Sequence, residues 1–335
     1  MNAVLRIGSR ASKLALIQAQ QVCDALASAN AGLALEIVPV STTGDRLLDT
    51  PLAEIGDKGL FVKELEAALL DGRVDVAVHS AKDLPTEVPE GLAILAFTER
   101  ADVRDVFVAG PGVAAAGLGD VPQAAQVASS SLRRRSQLLA RRPDFQIVDI
   151  RGNVETRLRR LAERRLAGTV LAAAGLGRLG LDRLAAFHFA LDDMLPAVGQ
   201  GALALEGRAD DARVCGLVGP LDHGPTALAV RAERALMRAL QGGCQVPVAA
   251  LAELCRDAAQ GAAPVADEAG VGVNAGGERC NLRLRAFVGS LDGRDTVIDE
   301  LAGPASDPES LGRTLAARLL AAGGERILAD VRDGG

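Results

Sequence analysis

Short apolar runs and longer stretches of helical spacing alternate through the first hundred residues. Residues 4–8 read as a strand, and Ser12 suits the cap of an amphipathic helix running to about Ala29. Leu35–Val40 is a second strand, 61–70 a helix, 74–79 a third strand and Leu92–Phe97 a fourth. Strand and helix in alternation predict a parallel sheet with helices packed against it, an α/β, doubly wound unit.

The pattern then repeats. Strands are expected at Gln126–Ala128, 146–150 and 169–172, with helices at Leu132–Arg141 and 154–166 between them. Residues 196–206 return to apolar strand character and are expected to cross back to the first sheet. From about Leu221 the order changes to a helix (226–240), strands near 246–252, 282–288 and 296–301, and a closing helix over 308–322. The expected organisation is a discontinuous first domain (1–99 plus about 197–217), a second α/β domain (104–195) and a small α+β C-terminal domain (221–330). The glycine- and alanine-rich stretch 257–277 reads as a surface loop.

Composition narrows the classes. The chain has 335 residues and a formal net charge of −6. It has no apolar run long enough for a membrane span and no signal-peptide pattern at its start, which gives the expectation of a cytoplasmic protein. Five scattered cysteines without a C-x-x-C pair, and three distant histidines, argue against a zinc site or a disulfide framework. Tryptophan and tyrosine are absent, so base stacking has little material and nucleic acid is not an expected partner. Without an assignable large apolar patch, a monomer is expected.

Charge is distributed unevenly. From Ser131 to Arg165 there are eleven arginines against four acids, a local excess of seven positive charges in an acidic chain. Four polar clusters each follow an expected strand: Gly8 to Ser12, His79 to Asp83, Ser129 to Arg135 and Arg151 to Arg157. In open α/β sheets ligands bind beyond the carboxyl ends of the strands. Helix N-termini, serines and arginines there suit anions, and Arg grips carboxylates with two parallel hydrogen bonds. Arg133, Arg134, Arg151 and Arg157 stand at such junctions. Arg159, Arg160, Arg164 and Arg165 read as a solvated helix face. Asp83, beside Lys82, is the candidate acid/base and the group to stabilise developing positive charge; the competing reading is a simple helix cap. Cys244, flanked by Gly242, Gly243 and Pro247 at the end of a helix, is an approachable thiol able to carry a covalent group. Gly175-Leu176-Gly177-Arg178-Leu179-Gly180 matches the dinucleotide fingerprint, but the long helix and acid-tipped strand that should follow are missing. At this level a two-lobed anion receptor without catalysis and a nicotinamide-dependent oxidoreductase remain alternatives.

Ordered motifs then point further. Leu5 to Arg10, Gly56 to Glu66, His79 to Pro85, Ser130 to Arg134, Arg151 to Val154, Leu195 to Gly201 and Gly242 to Pro247 resemble, in order, the motifs of the porphobilinogen deaminase (hydroxymethylbilane synthase) family. The resemblance implies two periplasmic-binding-protein-like domains and a third carrying the cysteine. It implies a dipyrromethane cofactor joined by a thioether to Cys244. On that primer four porphobilinogen molecules are joined head to tail with loss of ammonia, and water releases hydroxymethylbilane, a step of tetrapyrrole and haem biosynthesis. By motif, Asp83 would be catalytic. Arg10, Ser12, Lys82, Ser129, Ser131, Arg133, Arg134, Arg151, Arg157 and Arg178 would bind acetate and propionate groups, and Lys58 and Phe61 would belong to a loop over the site. No metal is implied. Ala81, Ala128-Ser129 and a long segment between Cys255 and Cys280 depart from the family pattern.

Overall fold

The computed structural model describes residues 4–42, 62–241, 246–255, 265–266, 272–273 and 281–333. Strand β1 (Leu5–Arg10) leads into helix α1 (Lys13–Ala29), where the Ser12 hydroxyl accepts from the Ala15 N–H at 3.4 Å and caps the first turn. Ala15, Ala19, Val22, Cys23 and Leu26 recur at helical spacing and form the buried stripe of α1. Strands β2 (Leu35–Val40) and β3 (Val76–Ser80) lie on either side of β1, both parallel to it, in register Leu5 with Leu35 and Ile7 with Val76. Helix α2 (Lys63–Leu70) precedes β3, and β4 (Leu92–Phe97) follows it. Leu65, Leu69, Val74 and Leu92 pack together on one side of this sheet, while Leu5, Ile7, Val22 and Leu26 share a core on the other.

The chain then crosses into a second sheet of its own. Its elements are β5 (Asp105–Ala109), β6 (Gln126–Ala128), α3 (Leu132–Arg141), β7 (Gln146–Val148), α4 (Val154–Glu163), β8 (Gly168–Ala172), α5 (Ala173–Arg178) and β9 (Phe187–His188), in strand order β7-β6-β8-β5-β9. Cores again line both faces: Leu161 and Leu176 on one, Phe107, Leu138 and Phe189 on the other. Two-sided burial is what a doubly wound sheet requires.

Strand β10 (Leu203–Arg208) inserts between β3 and β4 and completes the order β2-β1-β3-β10-β4, with α6 (Ala212–Val218) closing the lobe. β10 is antiparallel to both neighbours, pairing Ala204 with His79 and with Phe97. In the second sheet β5 is likewise antiparallel to β8 and β9. The expected all-parallel sheets are therefore mixed. The cause is the double crossing: a strand that enters a sheet directly from the other lobe arrives at the opposite end from strands delivered by a crossover helix.

The last unit starts with α7 (Gly224–Ala239) and builds an antiparallel sheet β11-β14-β15 from β11 (Val248–Leu254), β14 (Asn281–Gly289) and β15 (Thr296–Pro304); β12 (Val265–Ala266) and β13 (Gly272–Val273) pair separately. Helix α8 (Pro308–Leu319) runs on through a wider turn, so the helix expected over 308–322 is present; at Gly323, with a φ of 108°, the chain kinks into a further helix, α9 (Glu325–Asp333), which is not among those expected from the sequence. One core of alanine, leucine and valine from α7, β11, β14, α8 and α9 fills the space between helices and sheet. Most of the stretch 257–277 lies outside the described residues.

Candidate active site

Three of the four polar clusters become helix starts, and sequence chemistry explains each. Ser12 caps α1, the Ser131 hydroxyl accepts from the Arg134 N–H at 3.4 Å at the head of α3, and the Asn153 Oδ1 accepts from the Thr156 N–H at 2.8 Å at the head of α4. The fourth cluster, Ala81–Asp83, is a single tight turn directly after β3. The first helix residue of α1, Lys13, lies 3.6 Å from Glu155 in the first turn of α4, so helix starts of the two lobes face one another across a cleft.

Asp83 is exposed at this cleft, and its charge acts on both Lys82 and Arg157. Burial holds the Lys82 amine down at about 8; Arg134 and Arg133 push in the same direction, against the pull of Asp83 and Asp105. Burial also lowers Arg157 to about 10, helped by Arg134 and Arg151 and opposed by Asp83. Arg157 is anchored by its Nε–H, which donates to the Gly152 carbonyl at 2.8 Å. Lys82, Asp83, Arg133, Arg134, Arg151 and Arg157 thus share one electrostatic neighbourhood. Its cations outnumber its acids, and desolvation penalises the surplus.

Arg133 and Arg134 are almost wholly buried and point at Asp105, 2.7 Å from each. Each also donates to a carbonyl, Leu195 at 2.6 Å and Val170 at 2.9 Å. Asp105 is a partner that nothing in the local sequence singled out. Burial alone would raise its carboxyl, but the two guanidinium groups overcome that and hold it far below the usual range. Ser129 is buried, and its hydroxyl accepts from the Ser131 N–H at 3.3 Å. Arg10 and Arg151 are half-buried at the ends of their segments. Arg178 lines a pocket with Gln21, Arg100 and His188 that none of Lys82, Asp83, Arg133, Arg134, Arg151 and Arg157 lines; burial lowers it, and its guanidinium donates to the Gly201 carbonyl at 2.8 Å. Arg159, Arg164 and Arg165 are exposed. The G-x-G-x-x-G match falls within and just past the six-residue α5, not at the turn between a strand and a long helix. Cys244, Lys58 and Phe61 lie outside the described residues.

The motif Leu195 to Gly201 acquires a physical role. Gly199 and Gly201 have φ of 72° and 95°, and a Cβ on Gly199 would stand 3.0 Å from the Ala81 carbonyl carbon. The returning chain therefore packs directly on the Ala81–Lys82 peptide, and the Ala81 N–H donates to Ala202 at 3.0 Å. Helix α7 reaches the segment that follows this turn: Arg234 donates to the Pro85 carbonyl at 2.7 Å and Arg238 to the Thr86 carbonyl at 2.9 Å. The neighbouring Glu233 accepts from Arg100 at 2.6 Å, from the Gly199 N–H at 2.7 Å and from the Ala252 N–H at 2.8 Å. α7 ends at Ala239 with Leu240 as its cap, and Gln241 follows at a φ of 51°.

The described residues thus form two α/β lobes whose facing helix starts are rich in cations and expose Asp83, with a helix of the third unit donating to the segment just after the Ala81–Asp83 turn. The family description "Porphobilinogen deaminase, dipyromethane cofactor binding domain" matches residues 5–216, and "Porphobilinogen deaminase, C-terminal domain" matches 227–321. The porphobilinogen deaminases of Geobacter sulfurreducens and Moorella thermoacetica are 48% and 49% identical to the chain; both alignments cover 98% of it, and 94% and 96% of those proteins. Among solved structures, the periplasmic VFT2 domain of Bordetella pertussis BvgS aligns at a TM-score of 0.38 and 17% identity, over 64% of this chain and 85% of that one. The chain belongs to the porphobilinogen deaminase family.

Proposed function

We infer that the chain is a hydroxymethylbilane synthase, a transferase that joins four porphobilinogen molecules head to tail, releasing ammonia at each joining and hydroxymethylbilane at the end. The observation that carries the reading, beside family membership, is Asp83: one exposed carboxylate among cations that burial makes costly to leave uncompensated. Porphobilinogen brings two carboxylates and one pyrrole N–H, which match those cations and that acid.

The residues present fit a dipyrromethane group. Its carboxylates would supply counter-charge for Lys82 and Arg157, and Arg134 keeps a buried Nε–H without a partner among the described residues. When bound, the dipyrromethane supplies the pyrrole carbon at which the first substrate is joined. Cys244 would hold it as a thioether, and Arg10, Ser12, Lys82, Ser129, Ser131, Arg133, Arg134, Arg151, Arg157 and Arg178 would share the acetate and propionate groups. Lys58 and Phe61 would contribute to the cover of the site.

Asp83 accepts a hydrogen bond from the substrate's pyrrole N–H and stabilises the positive charge that builds on the ring as ammonia departs. It also stands ready to accept the proton released when the new carbon–carbon bond restores aromaticity. Lys82 and Arg157 orient the ring through its carboxylates, so the reacting carbons meet in a fixed geometry. Action in the cytoplasm as a monomer belongs to the same reading, and light scattering tests the second point. The decisive experiment is the intact mass of the purified protein with peptide mapping of Cys244, alongside ammonia release from porphobilinogen. Dipyrromethane mass on Cys244 and stoichiometric ammonia are expected. A bare Cys244 after exposure to porphobilinogen, with no ammonia, overturns the reading.

A further inference from the structure

We propose that Asp105 is a positioning residue for the anion site: its buried carboxylate holds Arg133 and Arg134 in the orientation that receives one further carboxylate from a bound pyrrole. The proposal rests on the functional reading above. Asp105 is the first residue of β5, has no exposed surface, and lies where the chain first enters the second lobe. Its Oδ1 accepts from Arg134 at 2.7 Å and from the Gln200 side-chain amide at 3.0 Å. Its Oδ2 lies 2.7 Å from Arg133, as an ion pair not aligned as a hydrogen bond. The Gln200 amide also donates to Val103 at 2.7 Å, so the outgoing and returning crossings between the lobes are tied to this one carboxylate.

Two guanidinium groups buried side by side repel each other, and without an internal anion they would separate or draw in water. One carboxylate between them brings them together. The trio still carries one net positive charge, and Arg134 keeps a buried Nε–H that no group among the described residues accepts. That residue of charge and hydrogen bonding suits a single acetate or propionate. Asp105 does not touch the ligand in this arrangement; it acts through the arginines.

The test compares wild type, Asp105→Asn, Asp105→Glu and Gln200→Leu in three measurements: unfolding by denaturant, intact mass, and KM and kcat for porphobilinogen. Asp105→Asn keeps the side-chain shape and removes its charge. Folded Asp105→Asn is expected to carry the dipyrromethane mass on about tenfold fewer chains than wild type, with Asp105→Glu recovering part of the loading. Folded Asp105→Asn with full loading and wild-type KM overturns the proposal. Should Asp105→Asn not fold, Gln200→Leu decides, since it removes one contact to Oδ1 and touches neither arginine. A KM raised about fivefold or more at nearly constant kcat supports the role; an unchanged KM overturns it. Wild-type protein that neither gains pyrrole mass nor releases ammonia would instead sink the functional reading itself.

Discussion

At the scale of single residues, the cleft is governed by which charges have partners. Asp83 is exposed, so replacing it should leave the fold alone and strike only the chemistry. Asp83→Asn is expected to lower turnover by about 100-fold or more, as loss of a positioned acid/base group does, with the denaturation midpoint nearly unmoved; turnover near wild type would remove Asp83 from the mechanism. Lys82 gives a pH-dependent expectation. Folded, its amine titrates at about 8 against an ordinary 10.5. The folded chain therefore binds this proton less tightly than the unfolded chain. The buried charge weakens the fold fully below pH 8, and the penalty fades as pH rises from about 8 to 10.5. Protein without cofactor should thus be less stable than its Lys82→Met variant at pH 7, and the gap should narrow above pH 8. A gap of constant size across that range, read by denaturant titration, would contradict a depressed amine.

At the scale of elements, caps both start the helices and aim the arginines. Asn153 closes the first turn of α4 at 2.8 Å from the Thr156 N–H, and Arg157 follows one turn later. Asn153→Ala is expected to cost about 1 kcal/mol of stability and to raise KM for porphobilinogen, because Arg157 loses its fixed base. Asn153→Ser, which keeps a capping oxygen, should recover most of both. Chemical denaturation and steady-state kinetics on the two variants check this, and equal behaviour of the two would show that the cap plays no part. Ser12 and Ser131 are helix caps as well, so their hydroxyls already spend one lone pair on the backbone. Capping signals of this kind are local, and for that reason α1 and α3 could be read from the chain with starts at 13 and 132.

At the scale of the whole molecule, α7 joins the third unit to the first lobe and to both crossings between the lobes. Glu233 is fully buried and binds Arg100 from the outgoing crossing, Gly199 from the returning one, and Ala252 from β11. Glu233→Leu leaves the Arg100 charge and two N–H groups without an acceptor and should cost about 3–5 kcal/mol. The double variant Glu233→Leu with Arg100→Met is expected to regain part of that loss. It should not regain all, since each orphaned N–H still costs about 1–3 kcal/mol. A thermodynamic cycle over the four proteins measures the coupling, and strict additivity of the two changes would show that the ion pair contributes nothing.

Local periodicity, caps and turn residues determined the α/β units, most helix limits, the cationic stretch and the candidacy of Asp83, because each depends on neighbours a few residues away. The direction of β10, the mixed sheets and the division of the arginines were decided only by tertiary structure. In sequence Arg133 and Arg134 stood with Arg151 and Arg157 as junction arginines, and they differ from those two because Asp105, 28 and 29 positions earlier, is folded against them. Arg100 and Glu233 stand 133 positions apart. A buried charge takes its partner from whatever the fold brings within about 3 Å, and a linear chain carries no local mark of that choice.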